Sequence, residues 1–201
     1  MWSKAGQEEL QKVPLRKEMG ERREDLLRLV RQLSTWIKER DQRIDEEVAR
    51  REDARRLMTH PGVGPQTALA TVLVLGPVGR FPDDRHLTRC LKLIPEEDSS
   101  AGRQRFGHLT KRGNRLMHFL LVEAAQTASR YVPRLRRAFR CLAFRKGAPI
   151  AKVAVARKLA IRLYIMLRDG IDYEEFCWRS PVPDGAGRGS HAGMLGDVAL
   201  V

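Results

Sequence analysis

Residues 60–76 read HPGVGPQTALATVLVLG, and the rest of the chain is organised around them. Pro61, Gly62, Val63 and Gly64 make a tight turn between two helical patterns. Pro65 suits the first position of a helix, where the missing N–H would have had no partner anyway. Thr67 to Leu75 then runs on as an apolar helix. The stretch therefore predicts helix, turn, helix.

Working outward toward the N-terminus, residues 21–57 hold neither Gly nor Pro. Leu26, Val30, Leu33, Ile37 and Ile44 recur at alternating spacings of three and four, with Arg40 interrupting the seam. That period predicts one long amphipathic helix over 21–57. It fits a short or imperfect coiled coil, with self-association through residues 24–48, and equally a single helix packed on its own domain. Residues 1–20 carry Gly6, Pro14 and Gly20 and read as a loosely structured lead-in.

Toward the C-terminus a second turn, Gly76-Pro77-Val78-Gly79, precedes a short helix expected over Asp84–Leu93. Residues 94–113 are a polar loop that can hold a short hairpin. Asn114 can cap a helix reaching about Tyr131. Its expected apolar face is Leu116, Phe119, Leu120, Ala124 and Thr127, with Glu123 unusually on the same side. A basic helix follows Pro133, and a last helix runs from about Pro149 to Arg168 and stops at Gly170. Residues 177–201 end in a Gly- and Pro-rich stretch expected to be a disordered tail. The expected fold is all-α, a long coiled-coil-like helix followed by a helical domain over 58–176 with a helix-hairpin-helix.

The net charge of +13 is unevenly placed. Residues 101–170 hold 17 Lys or Arg against two acids, Glu123 and Asp169; the remainder holds 21 against 23. A one-sign segment attracts polyanions, most often nucleic acid, whereas a merely solvated surface mixes its signs. Cys90, Cys141 and Cys177 are far apart and odd in number, with no zinc-like ligand spacing, so no metal site is expected and the thiols read as single buried groups in a reducing cytosol. MWSKAGQEEL lacks the apolar core of a signal peptide, and no apolar run is long enough to span a bilayer. The expectation is a cytoplasmic protein without a membrane partner, associated with the nucleoid when bound to DNA.

Three segments could carry chemistry. In PGVGP, Gly62 and Gly64 let main-chain N–H groups of Gly62, Val63 and Gly64 approach a phosphate, and the next helix adds its positive dipole end. Such contact ignores base sequence. The same turn could simply join two packed helices. In SSAGRQRFG, residues 99–107, small neighbours leave a serine hydroxyl open while Arg103 and Arg105 could hold a phosphate. Read for its chemistry alone, this is more often just a loop. Lys111, Arg112 and Arg115 are either a phosphate clamp or a solvated turn beside the Asn114 cap.

Taken together, LMTHPGVGPQTALATVLVLGPVGRFP, LIPEEDSS, GHLTKRGNRLMHFLLVEAAQTA and KVAVARKLAIRLYIMLRDGIDYEEF resemble, in that order, the insertion-sequence one-ten family of DEDD transposases, related to the Piv/MooV DNA invertases. The resemblance covers about Glu21 to Phe176. It implies DNA transposition and recombination through a serine nucleophile at Ser100, with DNA contacts at Gly62, Val63, Gly64, Arg103, Arg105, Lys111, Arg112 and Arg115. It further implies a structured guide RNA as a partner. An N-terminal RuvC-like domain in the family holds Mg2+ on an acidic tetrad, and this chain is expected to lack it. Two positions depart from the family: Lys92, and Ala101 directly after the serine, both usually Gly. The alternative is a non-catalytic DNA- or RNA-binding remnant with an idle Ser100; a bare coiled-coil scaffold is a third reading.

Overall fold

The computed structural model describes residues 4–93, 95–97, 106–109 and 113–179. The helices are α1 (Lys4–Lys12), α2 (Lys17–Arg50), α3 (Glu52–Met58), α4 (Pro65–Leu75) and α5 (Asp84–Cys90). After a two-stranded antiparallel pair, β1 (Pro95–Glu97) and β2 (Phe106–Leu109), come α6 (Arg115–Tyr131), α7 (Pro133–Lys146), α8 (Ala148–Asp169) and α9 (Tyr173–Arg179). The all-α expectation holds, and the polar loop does contain the hairpin, with Pro95 opposite Leu109 and Glu97 opposite Phe106.

α8 is the axis of the core. Ala151, Val155, Ala156, Leu159, Ala160, Leu163 and Met166 are all buried along it, facing α6, α7 and α3. Alanine-rich faces let backbones come close and then gain dispersion contacts along their whole length. Local signals set the helix ends as read. The Asn114 side chain accepts from the Met117 N–H at 3.0 Å. Gly170 closes α8 in the left-handed conformation, at φ 65°.

Several expectations need correcting. The long helix runs 17–50 rather than 21–57, because the chain turns at Arg51 into the separate α3. No Gly or Pro marks this break. It lets Val48, Ala54 and Leu57 all reach the core. Burying one Leu gives about 2 kcal/mol, more than the roughly 1 kcal/mol of a lost helical hydrogen bond. The lead-in contains α1, which Arg23 ties to α2 by donating to the Leu10 and Val13 carbonyls. Of the stretch expected to be a tail, Cys177, Trp178 and Arg179 are helical, and residues 180–201 lie outside the described ones. Cys90 is half-buried, and Cys141 and Cys177 are exposed, not buried.

The faces of two helices also differ from their periodicity. On α6 the buried stripe is Met117, Leu121, Ala124, Ala125 and Ala128, while Leu116 and Phe119 are 59% and 60% exposed and Glu123 faces solvent. On α2, Ile44 packs on the core, but Leu26, Leu33 and Ile37 are exposed. Leu33, Trp36 and Ile37 of α2, Leu69 and Leu73 of α4, and Leu116 and Leu120 of α6 line one open apolar groove of about 520 Å3.

Candidate nucleic-acid interface

The α3–α4 turn is held by its own backbone. His60 N–H donates to the Leu57 carbonyl and Val63 N–H to the His60 carbonyl, both at 3.1 Å. Gly62 has φ 91°, and a Cβ there would stand 2.5 Å from the Ala128 nitrogen and 2.8 Å from the Ala124 oxygen. Its missing side chain therefore makes room for the backbone of α6. Val63 is buried and its N–H is already used. Gly64 differs: it is the N-cap of α4, extended, uncapped by a side chain, with nothing within 4 Å of an added Cβ. Of the three turn residues, Gly64 is the one with open space beside it. The first-turn N–H groups of α4 have no intrahelical acceptor, which leaves positive dipole there. Gln66 Nε2 donates to Asp41 at 2.8 Å, so one acid stands close to that end.

Arg115 is the first residue of α6 and is exposed. It sits beside a clamp. Asn114 N–H donates to the Cys90 carbonyl and His118 Nδ1–H to the Lys92 carbonyl, both at 3.0 Å. Gly113, at φ 111°, lies so close that a Cβ would meet the Cys90 oxygen at 2.9 Å. Lys92 is itself left-handed, at φ 58°, which is where α5 stops short of the expected Leu93. The clamp holds the chain entering and leaving the hairpin at one place. Ser100, Arg103 and Arg105 belong to the connection between β1 and β2, and Lys111 and Arg112 to the one before α6; with Ala101, all lie outside the described residues.

Sequence reasoning missed His60. It is 1% exposed, and burial pushes its pKa down to about 4. Nδ1–H donates to the Pro61 carbonyl at 2.9 Å, and Nε2 is buried without a partner. The ring meets Tyr173 edge-on at 4.4 Å, and the Tyr173 N–H donates to Thr59 Oγ1 at 2.8 Å, fastening the turn to α9. Arg162 is half-buried nearby, its pKa lowered by that burial and raised in part by Tyr173 beside it. No spacing rule marks a lone histidine of this kind. Among the described residues no three His, Cys, Asp or Glu stand together as a metal would require, and no helix is long and apolar enough to cross a membrane.

Residues 54–140, which include the turn, the clamp and the hairpin, match the family described as Transposase IS116/IS110/IS902. Over those residues the chain carries the domain of that transposase family. It is 31% identical over 173 residues to a probable family 20 transposase of Pseudomonas aeruginosa, covering 83% of this chain and 49% of that protein. A transposase for insertion sequence element IS1111A of Coxiella burnetii is 31% identical over 120 residues, 58% of this chain and 33% of the relative. One for insertion sequence element IS1328 of Yersinia enterocolitica is 28% identical over 145 residues, 69% and 42%. The chain thus spans half or less of the length of these relatives.

Proposed function

We propose that the chain is the DNA-handling, C-terminal part of an insertion-sequence transposase. The observation that carries this reading is the family match over 54–140, because its span takes in both the α3–α4 turn and the Ser100 loop. The turn then serves as a helix-hairpin-helix that offers Gly64 and the first N–H groups of α4 to a phosphate, while Gly62 and Val63 hold it against the body. Arg115, Lys111, Arg112, Arg103 and Arg105 neutralise further phosphates. The Ser100 oxygen attacks a phosphodiester phosphorus. The bond to one sugar oxygen breaks, that oxygen leaves as a hydroxyl, and a protein–DNA phosphoester remains. A serine needs an activating base or metal, and the loop supplies only positive charge and His108. The reading places that activation in the RuvC-like, Mg2+-holding domain of longer members, with a guide RNA choosing the DNA. Copies pair through the exposed seam of α2 within residues 24–48. Alone, the chain binds DNA without turnover.

The test is DNA binding against salt, since each phosphate contact releases counterions and log K falls with log[salt] in proportion to their number. Arg115→Glu should weaken binding to all sequences alike and lower the slope by about one. Affinity that does not change with salt refutes the reading. A covalent adduct on a denaturing gel, formed with a RuvC-like domain supplied and lost in Ser100→Ala, separates the transposase from a non-catalytic DNA-binding remnant.

A further inference from the structure

The turn and the Ser100 loop leave the most basic helix of the chain without a task. α7 carries Arg134, Arg136, Arg137, Arg140, Arg145 and Lys146 and no acid. All six are exposed, and none is ion-paired among the described residues. The helix is anchored by Leu135 and Leu142, both buried, on its other side. On its outer side Phe144 is 94% exposed, more than any other large apolar side chain among the described residues. Arg140 lies one turn before Phe144 and Arg137 two turns before it, so the three share one outward strip about 10 Å long.

A bare phenyl ring and a row of unneutralised guanidiniums both wait for a partner. A second copy of the chain is disfavoured, because it would bring the same six charges face to face. A polyanion with planar apolar faces satisfies both features at once. In duplex DNA each base is already stacked between neighbours, so only an unpaired base has a face to give the ring.

We propose that α7 is a binding site for single-stranded DNA, in which an unpaired base stacks on Phe144 while Arg137 and Arg140 hold the flanking phosphates. This rests on the nucleic-acid reading above but uses a different element. The site takes an opened strand, and the turn takes duplex.

The experiment uses the full chain and a duplex with a single-stranded extension carrying iodo-deoxyuridine. After irradiation, adducts are mapped by tryptic digestion, and a matching blunt duplex serves as the second arm. The adduct is expected on the Cys141–Arg145 peptide. Phe144→Leu should abolish it and weaken extension binding about fivefold or more, the low end for one base–aromatic stack, while blunt-duplex binding stays unchanged. The ring is almost fully exposed, so this variant keeps its fold. Arg137→Glu with Arg140→Glu should weaken extension binding further. Crosslinks confined to other peptides, with Phe144→Leu neutral, overturn the proposal. So does an RNA extension that binds more tightly with the same dependence on Phe144, or a Phe144→Leu effect seen only in sedimentation. Loss of blunt-duplex binding alone refutes the reading of the turn and leaves α7 standing.

Discussion

Replacing Gly62 by Ala tests what the turn glycine is for. The added methyl would sit 2.5 Å from the Ala128 nitrogen and 2.8 Å from both the Ala124 oxygen and the Ala128 Cα, all backbone atoms of α6. No side chain can swing aside, so α6 must shift by about 1 Å, and overpacking of that kind costs roughly 1–3 kcal/mol. The backbone at φ 91° adds about 1–2 kcal/mol for any residue with a Cβ. The sum, about 2–5 kcal/mol, is a large part of the 5–15 kcal/mol typical of a domain. With a urea slope near 2 kcal/mol per molar, the unfolding midpoint should fall by about 1–2.5 M. Gly64→Ala, with open space and φ −93°, should stay within about 0.5 kcal/mol of the parent. The assay is urea unfolding followed by helical circular dichroism. If Gly62→Ala unfolds at the parental midpoint, or Gly64→Ala loses as much, the packing account of Gly62 is wrong.

The buried His60, with its pKa lowered from 6.5 to about 4, favours the neutral ring in the folded state, while the unfolded chain takes up a proton near pH 6.5. Stability from this residue is therefore complete above pH 6.5 and is lost as pH falls toward 4, by about 3 kcal/mol in all. His60→Phe should remove that part of the acid sensitivity; parallel losses in both proteins between pH 7 and 5 would contradict it. Lys92→Gly should raise stability by about 1 kcal/mol by relieving the left-handed backbone at φ 58°, and a lowered thermal midpoint would show that the lysine is not strained there. Leu33→Lys with Ile37→Lys, at positions 43% and 59% exposed, should turn an associated chain into a monomer in sedimentation without unfolding it; a parent already monomeric at high concentration rules out pairing through α2.

The legible parts of the sequence were those governed by neighbours in the chain. Asn114, Pro65 and Gly170 act within one helical turn, and each stands where the residues placed it. Tertiary choices were hidden. α6 offers two apolar stripes, and the larger residues Leu116 and Phe119 lose to the alanine stripe because only small side chains admit Gly62 and α8. The break at Arg51 has no local cause and follows from where Val48 and Leu57 must go. The family resemblance was read from motif order and is met by the match over 54–140. The turn stands where the residues placed it, and what the sequence could not separate is that Gly62 packs on the α6 backbone while Gly64 faces open space. The exposure of Phe144 could not be seen from a basic segment alone.

The clamp at Cys90–Leu93 and Gly113–His118 makes the intervening stretch a cassette. Its two ends are joined by hydrogen bonds of 3.0 Å that do not depend on what lies between them. Closing a loop costs only about 0.6 kcal/mol more for each doubling of its length, so residues 94–112 can be lengthened, shortened or exchanged while the helical body stays folded. The stretch open to exchange is also the one that holds Ser100, Arg103 and Arg105.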